Sequence, residues 1–213
     1  AINSIAFSHD IAYVVSGSGN GTLHIWNKGS AKEVATHMTM TGSSSTTSVA
    51  FSHDDTQILG SGDGTVRIWN TESGEEVAKM TGHSDWVASV AFSHDSTQVI
   101  SSSLDCTVRI WKAEIGEKVV KIVGHSHWVI SVPFSHDSTQ VISGLLNDTV
   151  RIWKSESGQE LIRMTGHSDS VTSVAFSHDS TNATSASIDG TVRIWETASG
   201  QRRSPQRLPF SAR

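Results

Sequence analysis

The tetrapeptide Phe-Ser-His-Asp occurs five times in this chain, at 7–10, 51–54, 92–95, 134–137 and 176–179. Ile-Trp also occurs five times, ending at Trp26, Trp69, Trp111, Trp153 and Trp195, so successive tryptophans stand 43, 42, 42 and 42 residues apart. A period of this length restricts a chain to a solenoid, an array or a propeller. Five such units use nearly all of the 213 residues.

Within a unit the pattern is β. In the third, Trp86 to Phe92 is a short apolar run and His94-Asp95-Ser96 a polar turn. Gln98 to Ser103 is a second run and Leu104-Asp105-Cys106 a tight turn. Thr107 to Trp111 alternates strictly, Ala113 to Gly116 breaks the chain, and Glu117 to Val123 is a fourth run. Four short strands separated by turn residues make an antiparallel meander. The fourth run carries charge in each of the middle units (Glu76 and Lys79, Glu117 and Lys121, Glu160 and Arg163), which suits an outermost edge. One meander of this size cannot bury both faces by itself, whereas radial stacking lets each sheet cover the next.

The residues that carry these signals resemble a known family. Gly-His precedes the first strand (Gly82-His83, Gly124-His125, Gly166-His167), then come S-V-A-F, a turn and T-V-R-I-W. The chain resembles WD40 repeats along nearly its whole length. The resemblance implies an all-β fold, a β-propeller of four-stranded antiparallel blades. Residues 1–200 would form five repeats, at about 1–42, 43–82, 83–124, 125–166 and 167–200, and 201–213 a basic segment able to supply a weak closing strand. A closed five-blade ring is expected ahead of an open arc or a part of a larger propeller.

The resemblance also implies structural tetrads: His83, Ser101, Asp105 and Trp111 in unit three, His125, Ser143, Asn147 and Trp153 in unit four, and His167, Ser185, Asp189 and Trp195 in unit five. The physical need is plain, because a buried indole N–H requires an acceptor and a buried relay must be completed. Unit two departs from the pattern with Ser43 and Gly60, and unit one keeps Ser16, Asn20 and Trp26. The Asp that usually follows the Trp is replaced by Asn27, Asn70, Lys112, Lys154 and Glu196.

Composition narrows the function. The net charge is −5, and without Arg202, Arg203, Arg207 and Arg213 the rest of the chain stands at −9. An acidic body repels phosphate backbones, so no nucleic-acid partner is expected. No apolar run has the length of a membrane span and no N-terminal stretch reads as a signal peptide, so no membrane partner and a cytoplasmic location are expected. The single cysteine, Cys106, excludes a disulfide framework and a multi-cysteine zinc site.

The repeated Ser-His-Asp is read as architecture, not as a hydrolase triad, because three consecutive residues diverge in space. A metal ring of His9, His53, His94, His136 and His178 is set aside too, on the expectation that equivalent turns of neighbouring blades stand too far apart to share an ion. No catalytic residue, metal or cofactor is therefore assigned.

The units differ most at two places that should emerge on one rim. The residue opening the first strand is Trp86 and Trp128 in units three and four, and the residue before the turn Asp or Asn is Leu104, Leu146 and Ile188 in units three to five. Asp85, His127 and Asp169 flank them. An apolar patch with a polar rim marks a binding surface. The expected function is a non-catalytic protein- or peptide-binding scaffold of the signalling type. A lectin is the alternative, with Trp86 and Trp128 stacking on sugar faces and Asp85 and Asp169 accepting from hydroxyls. A hydrolase or nuclease comes last, and homo-oligomerisation stays open.

Overall fold

The computed structural model describes residues 1–30, 32–39 and 45–203, with side chains for 1–30 and 45–203. The described residues form five antiparallel sheets and no helix. Blade one is β1 (Ile2–Phe7), β2 (Tyr13–Ser18), β3 (Thr22–Asn27) and β4 (Lys32–Thr39). Blade two is β5 (Ser48–Phe51), β6 (Gln57–Ser61), β7 (Thr65–Asn70) and β8 (Glu76–Thr81). Blade three is β9 (Val87–Phe92), β10 (Gln98–Ser103), β11 (Val108–Lys112) and β12 (Lys118–Ile122). Blade four is β13 (Val129–Ser131), β14 (Gln140–Leu145), β15 (Val150–Lys154) and β16 (Glu160–Met164). Blade five is β17 (Val171–Phe176), β18 (Asn182–Ser187) and β19 (Val192–Glu196). Each sheet is a meander in chain order.

Beyond β19, Arg202 pairs with Trp195, and the Arg203 N–H donates to the Ile194 carbonyl at 2.8 Å. This is where a fourth strand would begin. The rest of the expected closing strand, from residue 204, lies outside the described residues.

The first strands adjoin one another along the inner edge. Val49 N–H donates to Ser4 Oγ at 3.1 Å, Val90 to Ser48 at 3.3 Å and Val174 to Ser131 at 3.2 Å. The third strands then divide their side chains between two neighbours, because successive residues point to opposite faces. Val108 and Ile110 of β11 turn toward blade four, where they join Val129, Val132 and Trp153. Trp111, on the other face, joins Leu59, Val66, Ile68 and Met80 of blade two. The same division recurs between blades one and two and between blades four and five. The core is thus split into four apolar layers, each lying between two blades and belonging to both. Close approach explains Gly144: a Cβ there would stand 3.0 Å from Val174 of the next blade.

The first and last blades are sheltered on one side only. Ile2, Ile5, Phe7 and Trp26 of blade one are exposed, and so are Val192 and Ile194 of blade five. Their counterparts in the middle blades, such as Val49, Phe51, Trp69, Val150 and Ile152, are buried. The closed five-blade ring expected from the sequence is not confirmed: the described residues show no closure, and the first and last blades each leave one face exposed.

Candidate functional site

Two rims follow from the meander. One carries the turns between first and second strands, and the other carries the entry to the first strands together with the turns between second and third strands.

On the second rim, backbone bonds tie the entry of the first strand to the following turn within a blade. Leu104 N–H donates to the Trp86 carbonyl at 2.9 Å, Leu146 to Trp128 at 3.2 Å and Ile188 to Ser170 at 3.0 Å. Each bond ties the residue opening a first strand to the residue before a turn, so the two variable positions sit side by side in blades three to five. Trp86 is 49% exposed and Trp128 44%, and Ile188 is also exposed, whereas Leu104 and Leu146 are half-buried. Asp85, His127 and Asp169 are exposed beside them. Asp85 accepts from the Trp86 N–H at 2.7 Å and Asp169 from the Ser170 N–H at 2.7 Å, while His127 Nδ1 accepts from the Trp128 N–H at 3.0 Å. All eight residues expected at the site thus lie on one rim. The blade-four to blade-five step is bonded directly, Ser170 Oγ donating to the Leu146 carbonyl at 3.2 Å.

Below this rim lie the tetrads. In blade three, Trp111 Nε1 donates to Ser101 Oγ at 2.8 Å, His83 Nε2 lies 2.8 Å from the same oxygen, and His83 Nδ1 lies 2.9 Å from Asp105. Burial alone would raise the Asp105 carboxyl, but hydrogen bonds from Thr107 and His83 hold it down at about 2. It is therefore an ionised acceptor, and His83 Nδ1 carries the proton that faces it. Burial lowers the His83 pKa. A neutral ring protonated at Nδ1 accepts at Nε2, so Ser101 donates to His83, and every proton from Trp111 to Asp105 is assigned.

Blade five repeats the arrangement, with Trp195 to Ser185 at 2.8 Å, His167 to Ser185 at 2.7 Å and His167 to Asp189 at 2.8 Å. In blade two Gly60 takes the serine's place, and a Cβ there would meet the Trp69 ring at 3.0 Å and Leu23 at 3.1 Å. Ser43 of that unit lies outside the described residues.

Blade four is broken at one link. Trp153 still donates to Ser143 at 2.9 Å, and His125 Nε2 lies 3.1 Å from it. Asn147 instead donates to Ser126 Oγ at 2.7 Å and accepts from Thr149 Oγ1 at 2.6 Å, and His125 Nδ1 is buried with no hydrogen-bond partner among the described residues. Burial, followed by the Arg151 guanidinium, pushes His125 down to about 4. Asn147→Asp supplies the missing acceptor and is expected to stabilise the chain by about 1 kcal/mol. Urea unfolding at neutral pH reads this as a higher midpoint at unchanged slope. A midpoint at or below that of the native chain contradicts the assignment.

The opposite rim holds what the sequence reading missed. The histidines of the repeated tetrapeptide stack in a row, with ring centroids 4.4 Å apart for His9 and His53, 4.3 Å for His53 and His94, 3.9 Å for His94 and His136 and 4.0 Å for His136 and His178. The expectation that equivalent turns stand too far apart is corrected. These turns end the innermost strands, where the blades converge, and each is tied to the next: the His53 N–H donates to Ser96 Oγ at 2.9 Å, His94 to Ser138 at 3.0 Å and His136 to Ser180 at 3.0 Å.

The rings lie in file and do not converge, and among the described residues no three His, Cys, Asp or Glu side chains could hold a metal ion. A cavity of about 390 Å³ opens beside the row, walled by His94, His136 and His178 and by Phe92, Phe134 and Phe176. Within each tetrapeptide the serine bonds the aspartate directly, as Ser93 does Asp95 at 2.7 Å, so the histidine does not stand between them as a triad requires. The one signal that pointed to the stack was the recurrence of His at the same place in all five turns.

Cys106 sits half-buried in the turn at φ 62°, where Gly64 and Gly190 have φ 83° and 79°. Burial, then Asp105 and Asp85, raise its thiol, which works against thiolate reactivity.

The family model for "WD domain, G-beta repeat" matches residues 1–27, 35–70, 74–112, 116–154 and 158–196. The chain belongs to the WD40-repeat family. The WD40 arc is also similar to a crystal structure of the computationally designed Ika8 protein, at 30% identity and a TM-score of 0.84. That match covers 95% of this chain and 60% of the other, so the WD40 units here span less than two thirds of its length. The comparison with curated proteins returned no match. WD40 domains generally serve as protein-interaction scaffolds.

Proposed function

We propose that this WD40 arc is a non-catalytic scaffold that docks a protein or peptide on the rim of blades three to five. The observation that carries the reading is the placement of Trp86 and Trp128 on adjacent blades, each about half exposed and each bonded through its backbone to a leucine of the neighbouring turn. Half-exposed indoles on a rigid frame give large contact area at little entropic expense. Asp85 and Asp169 beside them favour a partner with an apolar anchor and basic flanks.

The test uses a displayed random-peptide library selected on the native chain. Selected peptides are expected to lose at least tenfold in affinity for the Trp86→Ala, Trp128→Ala double variant, with thermal unfolding shifted little because both side chains are half in solvent. A control pair on the outer strands, Val77→Ala and Val119→Ala, is expected to bind as the native chain does. Peptides that bind the tryptophan variant equally well would remove the site from blades three to five. Binding of immobilised glycans in place of peptides would favour the lectin.

A further inference from the structure

We infer that the two ends of the arc are complementary halves of one joint, and that a second copy of this chain completes it head to tail. Between blades four and five, Val150 and Ile152 of β15 pack against Val171, Val174 and Trp195, with Ile142 behind them. Blade five repeats the giving side of that joint as Val192 and Ile194, both exposed: Val192 is 70% exposed where Val150 is fully buried. Blade one repeats the receiving side as Ile2, Ile5 and Trp26, and Ile5 is 64% exposed where Val174 is buried. Phe7 extends the same face and is exposed where Phe51 and Phe92 are buried.

The β19 pair Val192 and Ile194 at one end and Ile2, Ile5 and Trp26 at the other thus repeat, in the same register, the two sides of the interior joint. Among the described residues the two ends do not cover each other, and two copies can join them. The surface continues an interface already formed four times inside the chain, so its geometry is set in advance. Such a heterologous joint propagates unless it closes. One difference weakens it: Thr184 stands where Leu59, Ile100 and Ile142 fill the interior joints, so association is reversible.

Light scattering on eluting protein, from micromolar to millimolar chain concentration, tests the inference. The native chain is expected to rise from the mass of one copy to at least twice that. Val192→Glu with Ile194→Glu blocks one end, and Ile5→Glu with Phe7→Glu blocks the other. Each variant alone is expected to stay at the mass of one copy. A 1:1 mixture of the two is expected to stop at the mass of two, since one free end of each kind remains. Circular dichroism checks that both variants keep their strands, and threonine at the same four positions replaces glutamate if either does not. A native chain that stays single at millimolar concentration, a blocked variant that still associates, or a mixture that stays single overturns the joint.

Discussion

Ser101→Ala is expected to destabilise the chain by about 2–4 kcal/mol, far more than the loss of one small side chain suggests. Ser101 Oγ accepts from Trp111 Nε1 at 2.8 Å and donates to His83 Nε2 at 2.8 Å, and its side chain is fully buried. Its removal strands an indole N–H and a ring nitrogen where water does not reach, and each pays its own desolvation. The effect is local in origin yet felt across two blades, because Trp111 belongs to the layer shared with blade two. A double-mutant cycle with Trp111→Phe separates the terms. Once the indole N–H is gone, the serine is worth less, so the combined change is smaller than the sum of the two singles. Strictly additive losses in urea unfolding would show that the relay does not act as a unit.

Acid is expected to cost the chain about 3 kcal/mol through His125 alone. The sign follows from which state takes the proton. Unfolded, the imidazole titrates near its ordinary 6.5; folded, it titrates near 4. Above pH 6.5 both states are neutral and nothing is lost. Between 6.5 and 4 the unfolded chain binds a proton that the folded chain refuses, and stability falls. Below 4 both carry it and the loss is complete. Burial moves His83 in the same direction, so the fall is steeper than one group gives. Asp105, held near 2, contributes in the opposite chemistry: its stabilisation is complete above 3.8 and is lost only as pH falls toward 2. The two windows are therefore separate. Unfolding free energies measured between pH 7.5 and 4 should show the first slope, and Asn147→Asp should flatten it by giving His125 a carboxylate that favours its charged form. A flat profile across that window, or an unchanged slope in the variant, contradicts the account of blade four.

The sequence was most legible where one residue type repeats for a backbone or hydrogen-bond reason. The alternation in Thr107 to Trp111 defines β11 to within a residue, and Gln98 to Ser103 is β10 as observed. The tetrads were legible because a buried Trp, Ser, His and Asp have few ways to satisfy one another. Even the fault in blade four is visible in the sequence as Asn147. Closure was not legible. The angle between two sheets is set by how Val150, Ile152 and Val174 interlock, and the same residues serve an arc or a ring of several sizes. The histidine row was missed for a related reason: the sequence shows that each turn is alike but not that His94 and His136 end strands on the inside of the arc. The rim residues lie side by side because backbone bonds such as Leu104 to Trp86 follow from the meander itself.

The central claim is that each small sheet is stable because the next one covers it. Amide hydrogen exchange, strand by strand and at a dilution where light scattering shows a single copy, tests this most directly. The account predicts slow exchange in β7, β11 and β15, whose Val and Ile side chains are wholly buried between blades, and exchange at least tenfold faster in β19, whose Val192 and Ile194 are open. Equal protection of all four strands in the single chain would contradict it.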